Sequence, residues 1–241
     1  EIKFKITKVN KTFAQGQIVE IITPSKHRVK PFCPMYNACG ACQLQFIDYD
    51  YQLQIKQEIT QDAMDRIGGL DIMVKPTIPS PEQKNYRHKI QYPVSRTKNS
   101  GRILAGYYKP KTHEIVNIKY CPIQPEICDD IINFIREKAF DFGVQGFVEK
   151  KHSGDLRHIV LRSSVYNGKI LVTLVVNATK CFDRLKDFAK CIYDEFDEVV
   201  GVCVNYNSKK TNVILGNKTE CLCGQDYVEE KLIDKTFKIG V

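Results

Sequence analysis

Residues 157–176 read RHIVLRSSVYNGKILVTLVV, and this stretch decides the fold. Two apolar runs, Arg157–Val165 and Lys169–Val176, flank the dipeptide Asn167-Gly168. Both residues of that dipeptide tolerate the left-handed backbone of a tight turn, so the pattern predicts a β-hairpin. On its N-terminal side lies a second antiparallel pattern. Tyr86–Val94 predicts a strand, Asn99-Ser100-Gly101 a turn, and Arg102–Tyr108 a returning strand that turns again through Lys109–Thr112 into Glu114–Ile118. Pro125 then opens a helix to about Phe140, with Ile127, Ile131, Phe134 and Ile135 on one face. After the hairpin come a helix at Phe182–Phe196, strands at Val199–Tyr206 and Asn212–Leu215, and the start of a hairpin in Asp226–Gly240. Antiparallel signals dominate and the helices lie between β groups. The expected fold class is α+β, with helices covering one face of an antiparallel sheet.

The N-terminal third reads differently. IKFKITKV alternates and GQIVEII begins at Gly16, so residues 1–32 predict short strands of a small barrel that lacks its start. From Tyr49 to about Ile67 the residues Tyr51, Ile55, Ile59, Ala63 and Ile67 recur every four positions, a helical stripe ended by Gly68-Gly69. Val74–Gln83 holds three prolines and reads as a linker. The expected segments are 1–32, a cysteine loop at 33–48, a helix and linker at 49–79, a central domain at 80–225, and a further domain beginning at 226–241.

Composition sets limits. The chain has 241 residues, is 43% hydrophobic and 27% charged, and so reads as globular with one large or two small cores. It has no run of about 18 apolar residues, so no membrane association is expected. The start, EIKFKITK, has no apolar core and no Met, which predicts a fragment rather than a secreted precursor. Cys128, Cys191 and Cys203 sit in apolar surroundings and read as reduced thiols of a cytoplasmic protein, and Cys181, Cys221 and Cys223 carry no nucleophile context.

Three of the ten cysteines stand close together in CPMYNACGACQLQF as C-x5-C-x2-C, at Cys33, Cys39 and Cys42. A Cys-x2-Cys pair lets two thiolates reach one metal centre. The best fourth donor is Cys121 in YCPIQ, where Pro122 stiffens the chain. Structural zinc usually uses two such pairs, whereas an uneven three-plus-one set suits a cuboidal 4Fe–4S cluster. Zinc and unligated reduced thiols remain the alternatives.

The net charge of +8 is concentrated. Lys84–Tyr120 carries nine Lys or Arg against one acid, Glu114, interleaved with Tyr86, Tyr92, Tyr107, Tyr108 and Tyr120. Positive charge tracks phosphates and exposed aromatic faces stack on unpaired bases, so the segment predicts nucleic-acid binding. A solvated basic sheet face with core tyrosines is the alternative. Candidate contacts are Arg87, His88, Lys89, Arg96 and Arg102, with Arg157 and Arg162 on the hairpin; His158 reads as a hydrogen-bonded structural histidine.

The runs CPMYNACGACQLQFIDYDYQLQIKQ, NYRHKIQYPV, YCPI, LRHIVLR and NYN-x4-NVILG together resemble bacterial RNA uracil-5-methyltransferases, and most nearly the 23S ribosomal RNA enzymes of the RumA type. Residues 1–32 resemble the end of a TRAM domain, a small RNA-binding barrel. The resemblance implies a 4Fe–4S cluster on Cys33, Cys39, Cys42 and Cys121, and a central domain that grips folded ribosomal RNA. It implies S-adenosylmethionine as cofactor of the full-length enzyme, bound by a C-terminal domain that also carries the catalytic cysteine and base. No glycine-rich strand–turn–helix signature is present here. The chain is therefore expected to be inactive by itself, with no catalytic residue of its own, and monomeric. A free-standing iron–sulfur or zinc RNA-binding module, a redox sensor, and a tRNA enzyme are the alternative readings.

Overall fold

The computed structural model describes residues 1–241, which divide into two compact units: residues 1–32 with 42–80, and residues 33–41 with 81–241.

In the first unit, β1 (Ile2–Val9) and β2 (Ala14–Ile21) form a two-stranded antiparallel sheet with irregularities at Lys3/Phe4 and Ile6/Lys8. Its apolar side chains, Phe4, Ile6 and Ile18 among them, are exposed. The helix α1 (Tyr49–Asp62) starts where the Asp48 carboxylate accepts the Tyr51 N–H at 2.9 Å. It runs on into a π-helical turn, Ala63–Ile67. His27 anchors this cap, bonding Asp48 at 2.8 Å and stacking on Tyr51 at 3.8 Å. The expected apolar stripe is half-buried only at Tyr51 and Ile55, whereas Ile59 and Ile67 are exposed. The face that is used carries Leu53, Gln57 and Gln61. Their carbonyl and amide groups hold Thr77, Val74 and Ile72. The proline-rich segment is therefore not a free linker. Proline removes N–H donors but leaves carbonyls, and the glutamines supply the missing partners.

The second unit is built on a six-stranded sheet in the order β4-β3-β5-β6-β7-β8. The strands are β3 (Lys89–Arg96), β4 (Ile103–Ala105), β5 (Leu156–Ser163), β6 (Ile170–Val176), β7 (Val199–Tyr206) and β8 (Lys218–Gly224). The Asn167-Gly168 hairpin joins β5 to β6 in register from Ser163↔Ile170 to Leu156↔Val176, with a bulge that leaves Arg157 unpaired. All pairings are antiparallel except β6–β7, which is parallel and crossed over by α3 (Asp183–Glu195). Sequence reading anticipated β3 to β7 and α3, but not β8 and not the parallel pair, because periodicity does not encode strand direction. Asn212–Leu215 forms no strand, since its backbone is held by Asn207, and the expected strand Glu114–Ile118 reduces to one isolated bridge, Tyr108↔Ile115.

One sheet face carries Ile90, Tyr92, Ile159, Leu161, Val172, Leu174, Val202 and Val204, all fully buried. It is covered by α3 and by α2 (Glu126–Lys138), whose Ile131, Ile135, Leu185, Phe188 and Ile192 are fully buried. Each such side chain contributes roughly 1.5–3 kcal/mol by leaving water. The other face is covered at Leu171 and Cys203 by Val228 and Ile239 of a terminal hairpin, β9 (Val228–Leu232) and β10 (Lys235–Ile239). Towards β3 and β5 this same face carries charge. The architecture is mixed α+β, as the sequence predicts.

Candidate cluster and nucleic-acid-binding site

Cys121 sits in the turn before α2, 7% exposed. Its N–H donates to Asp129 Oδ2 at 3.1 Å, Gln124 Nε2 donates to Asp129 Oδ1 at 2.7 Å, and the Tyr92 hydroxyl donates to Gln124 Oε1 at 3.3 Å. A strand residue, Tyr92, and a helix residue, Asp129, are thus linked through Gln124 beside this cysteine. Burial pushes the Cys121 thiol up to about 11 and the Asp129 carboxyl up to about 6, with the bonds from Cys121 and Gln124 opposing the latter. Burial raises the Tyr107 phenol, and Arg87 opposes this. Cys33, Cys39 and Cys121 belong to the second unit, while Cys42 belongs to the first.

The cysteine loop reaches the meander through Gly40, whose N–H donates to Tyr108 O at 2.9 Å. A Cβ there would lie 2.9 Å from that oxygen and 3.1 Å from Pro110 N, so the close approach needs glycine. The donors fit a soft metal or cluster in kind, because thiolates disfavoured by burial are stabilised by a bound cation. No three His, Cys, Asp or Glu side chains stand at metal-holding spacing.

The candidate RNA contacts divide sharply. Lys89 and Arg162 are directly opposite one another across β3 and β5, on the open sheet face. Neither makes an ion pair, Lys89 is exposed, and Arg162 is half-buried enough to lower its guanidinium pKa. Like charges in directly opposed positions repel, which favours an anionic partner between them. Arg102 is exposed in the β3–β4 turn. Arg87 donates to the Tyr107 hydroxyl at 2.8 Å, His88 pairs with Ser163 at 3.1 Å, and Arg96 bonds Gln145.

Arg157 is different. It is 6% exposed, lies over the Phe147 ring, and donates to Asn207 O, Lys209 O and Thr211 O at 2.6, 2.8 and 3.3 Å. Its guanidinium braces a loop. Of the interleaved tyrosines, Tyr92 is fully buried and Tyr107 and Tyr108 are half-buried, leaving Tyr86 and Tyr120 at the surface. Asn205 and Asn207 are buried and hold the 213–218 backbone through their side-chain amides. His158 is not hydrogen-bonded at Nδ1, contrary to the sequence reading. It faces Pro93 and Val175 across the sheet, and burial, aided by Arg157, lowers its pKa to about 4. The roles of Gln124 and Asp129 around Cys121 had no local signal, because their meeting depends on how α2 lands on β3.

No family model matches the chain. It is similar throughout to proteins named uncharacterized RNA methyltransferase. That of Clostridium tetani is 38% identical over 239 residues, covering 99% of this chain and 51% of the relative. That of Halalkalibacterium halodurans is 37% identical (99% and 52%), and that of Oceanobacillus iheyensis 36% (100% and 52%). The chain thus spans about half the length of the curated relatives it matches. The fold is similar to the crystal structure of Pyrococcus abyssi tRNA (uracil-54, C5)-methyltransferase in complex with S-adenosyl-L-homocysteine, at TM-score 0.66 and 24% identity, covering 99% of this chain and 51% of that one. No helix is long and apolar enough to cross a membrane.

Proposed function

We propose that this chain is the RNA-gripping and cluster-bearing part of an S-adenosylmethionine-dependent methyltransferase of the RumA type that methylates C5 of a uridine in 23S ribosomal RNA. The observation that carries the reading is similarity along 99% of the chain to half of an RNA methyltransferase. In this reading, S-adenosylmethionine binding and methyl transfer belong to the part of those proteins that this chain does not match. Cys33, Cys39, Cys42 and Cys121 hold a 4Fe–4S cluster that ties the cysteine loop to the meander. The seating of the cysteine loop on the meander, where the Gly40 N–H donates to Tyr108 O, supports it. Lys89, Arg162 and Arg102 contact the RNA, with Arg87, His88 and Arg96 flanking them, and the unneutralised pair across β3 and β5 supports that assignment. Arg157 is left out of the proposed contacts, since it is buried and its terminal nitrogens donate to backbone carbonyls. The β1–β2 pair is read as strands of a TRAM-like barrel.

Methylation at C5 replaces a C–H bond by a C–CH3 bond, so it releases the C5 hydrogen. The test uses the whole protein, S-adenosylmethionine, and 23S ribosomal RNA or tRNA transcripts carrying tritium at uridine C5. Tritium release from the ribosomal RNA is expected. Release from tRNA alone would move the substrate to tRNA, and methyl incorporation without release would reject the C5 reaction. For the cluster, protein purified without oxygen should contain about four irons and four sulfides, lost in Cys121→Ser. One zinc and no sulfide would replace the cluster with a zinc site.

A further inference from the structure

A second basic surface is formed by loops rather than by the paired strands β3 and β5. Three loops distant in sequence, at residues 109–114, 149–152 and 208–211, are locked together by side chains. His113 Nδ1 lies 3.1 Å from the Glu149 carboxylate and stacks on Tyr108, joining the first loop to the second. His152 Nε2 lies 2.9 Å from Ser208 O, joining the second to the third. Arg157, buried over Phe147, fixes the third from beneath through the carbonyls of Asn207, Lys209 and Thr211. The three loops hold six lysines and two glutamates. Both acids are already engaged, Glu114 by Lys109 at 2.6 Å and Glu149 by His113. Lys111, Lys150, Lys151, Lys209 and Lys210 are exposed and make no ion pair. Folding has thus gathered five unneutralised lysines on braced loops with no free carboxylate among them, an arrangement that repels itself until an extended polyanion occupies it.

We infer that these three loops form a second phosphate-binding surface for the RNA, separate from the Lys89–Arg162 pair. The inference rests on the RNA reading above and specifies where the backbone of that RNA runs. Lysines here act as point charges on phosphates, so they supply affinity and position without reading sequence. Each neutralised phosphate contributes about 0.7–0.9 to the slope of log affinity against log salt.

The test measures binding of the whole protein to an RNA hairpin with an unpaired loop, between about 50 and about 200 mM salt. The variant Lys150→Gln/Lys151→Gln/Lys209→Gln/Lys210→Gln should lower the salt slope by about 3 and weaken binding most at low salt. Replacing the same four lysines by arginine should keep the slope. Each lysine pair is also changed alone, so that a folding defect in the fourfold variant leaves two independent readings. An unchanged slope with normal wild-type binding would overturn this surface while leaving the RNA reading intact, and would reassign the loops to an acidic protein partner. Failure of the wild-type protein to bind RNA at all would overturn the RNA reading and this inference together.

Discussion

Arg157 and His158 are adjacent on β5 and have opposite fates. The bulge leaves Arg157 unpaired, and its guanidinium satisfies three carbonyls of a loop about fifty residues away in sequence. Truncation strands those carbonyls and removes packing on Phe147, so Arg157→Ala should destabilise the protein by about 2–4 kcal/mol in denaturant unfolding. Lysine should not rescue it, because one ammonium cannot span the fork. His158 lies between Pro93 and Val175 with its pKa lowered to about 4. Between about 6.5 and 4 the unfolded state therefore binds the extra proton, so stability rises with pH through that window and is lost as pH falls through it. At most about 3 kcal/mol is involved. His158→Gln should flatten the acid side of the stability–pH curve, and an unchanged curve would assign the histidine a charged or solvated state.

At the scale of elements, two contacts decide how the site is assembled. Gly40 lets the cysteine loop lie on the meander at Tyr108 and Pro110. Gly40→Ala forces backbone against backbone and should cost about 1–3 kcal/mol and reduce iron content on oxygen-free purification. Retention of full iron and stability would show that the loop docks elsewhere. The β3–β5 pairing sets Lys89 against Arg162. Lys89→Gln should raise the stability of the free protein by up to about 1 kcal/mol while weakening RNA binding. Stability and binding moving in the same direction would argue that the pair is structural.

At the scale of the molecule, charge is sorted rather than spread. Lys89 and Arg162 on the open sheet face and five lysines of the three braced loops make no ion pair, whereas α3 pairs its lysines with its own acids, as Lys186 with Asp183 and Lys190 with Asp194. Covalent acetylation of exposed lysines should register this sorting. With RNA bound, Lys150, Lys151, Lys209 and Lys210 should be protected together, while Lys186 and Lys190 stay reactive. Uniform protection would mean diffuse binding.

Much of this was legible in the linear chain for a definite reason. Periodicity and turn chemistry are local, so the Asn167-Gly168 hairpin, the apolar face of α2, the Pro125 start and the cysteine spacing could all be read from neighbouring residues. Strand direction, bulges and side-chain meetings are not local. The parallel β6–β7 pair, the turning of Arg157 from an expected RNA clamp into a loop brace, and the burial of Tyr92 beside Cys121 each depend on partners far off in sequence. The sequence by itself determined the central hairpin and the helices, where charge is abundant and which thiols could ligate. Only the tertiary structure decided which cations remain unpaired at the surface, because ion pairing and burial are settled when distant loops close on one another.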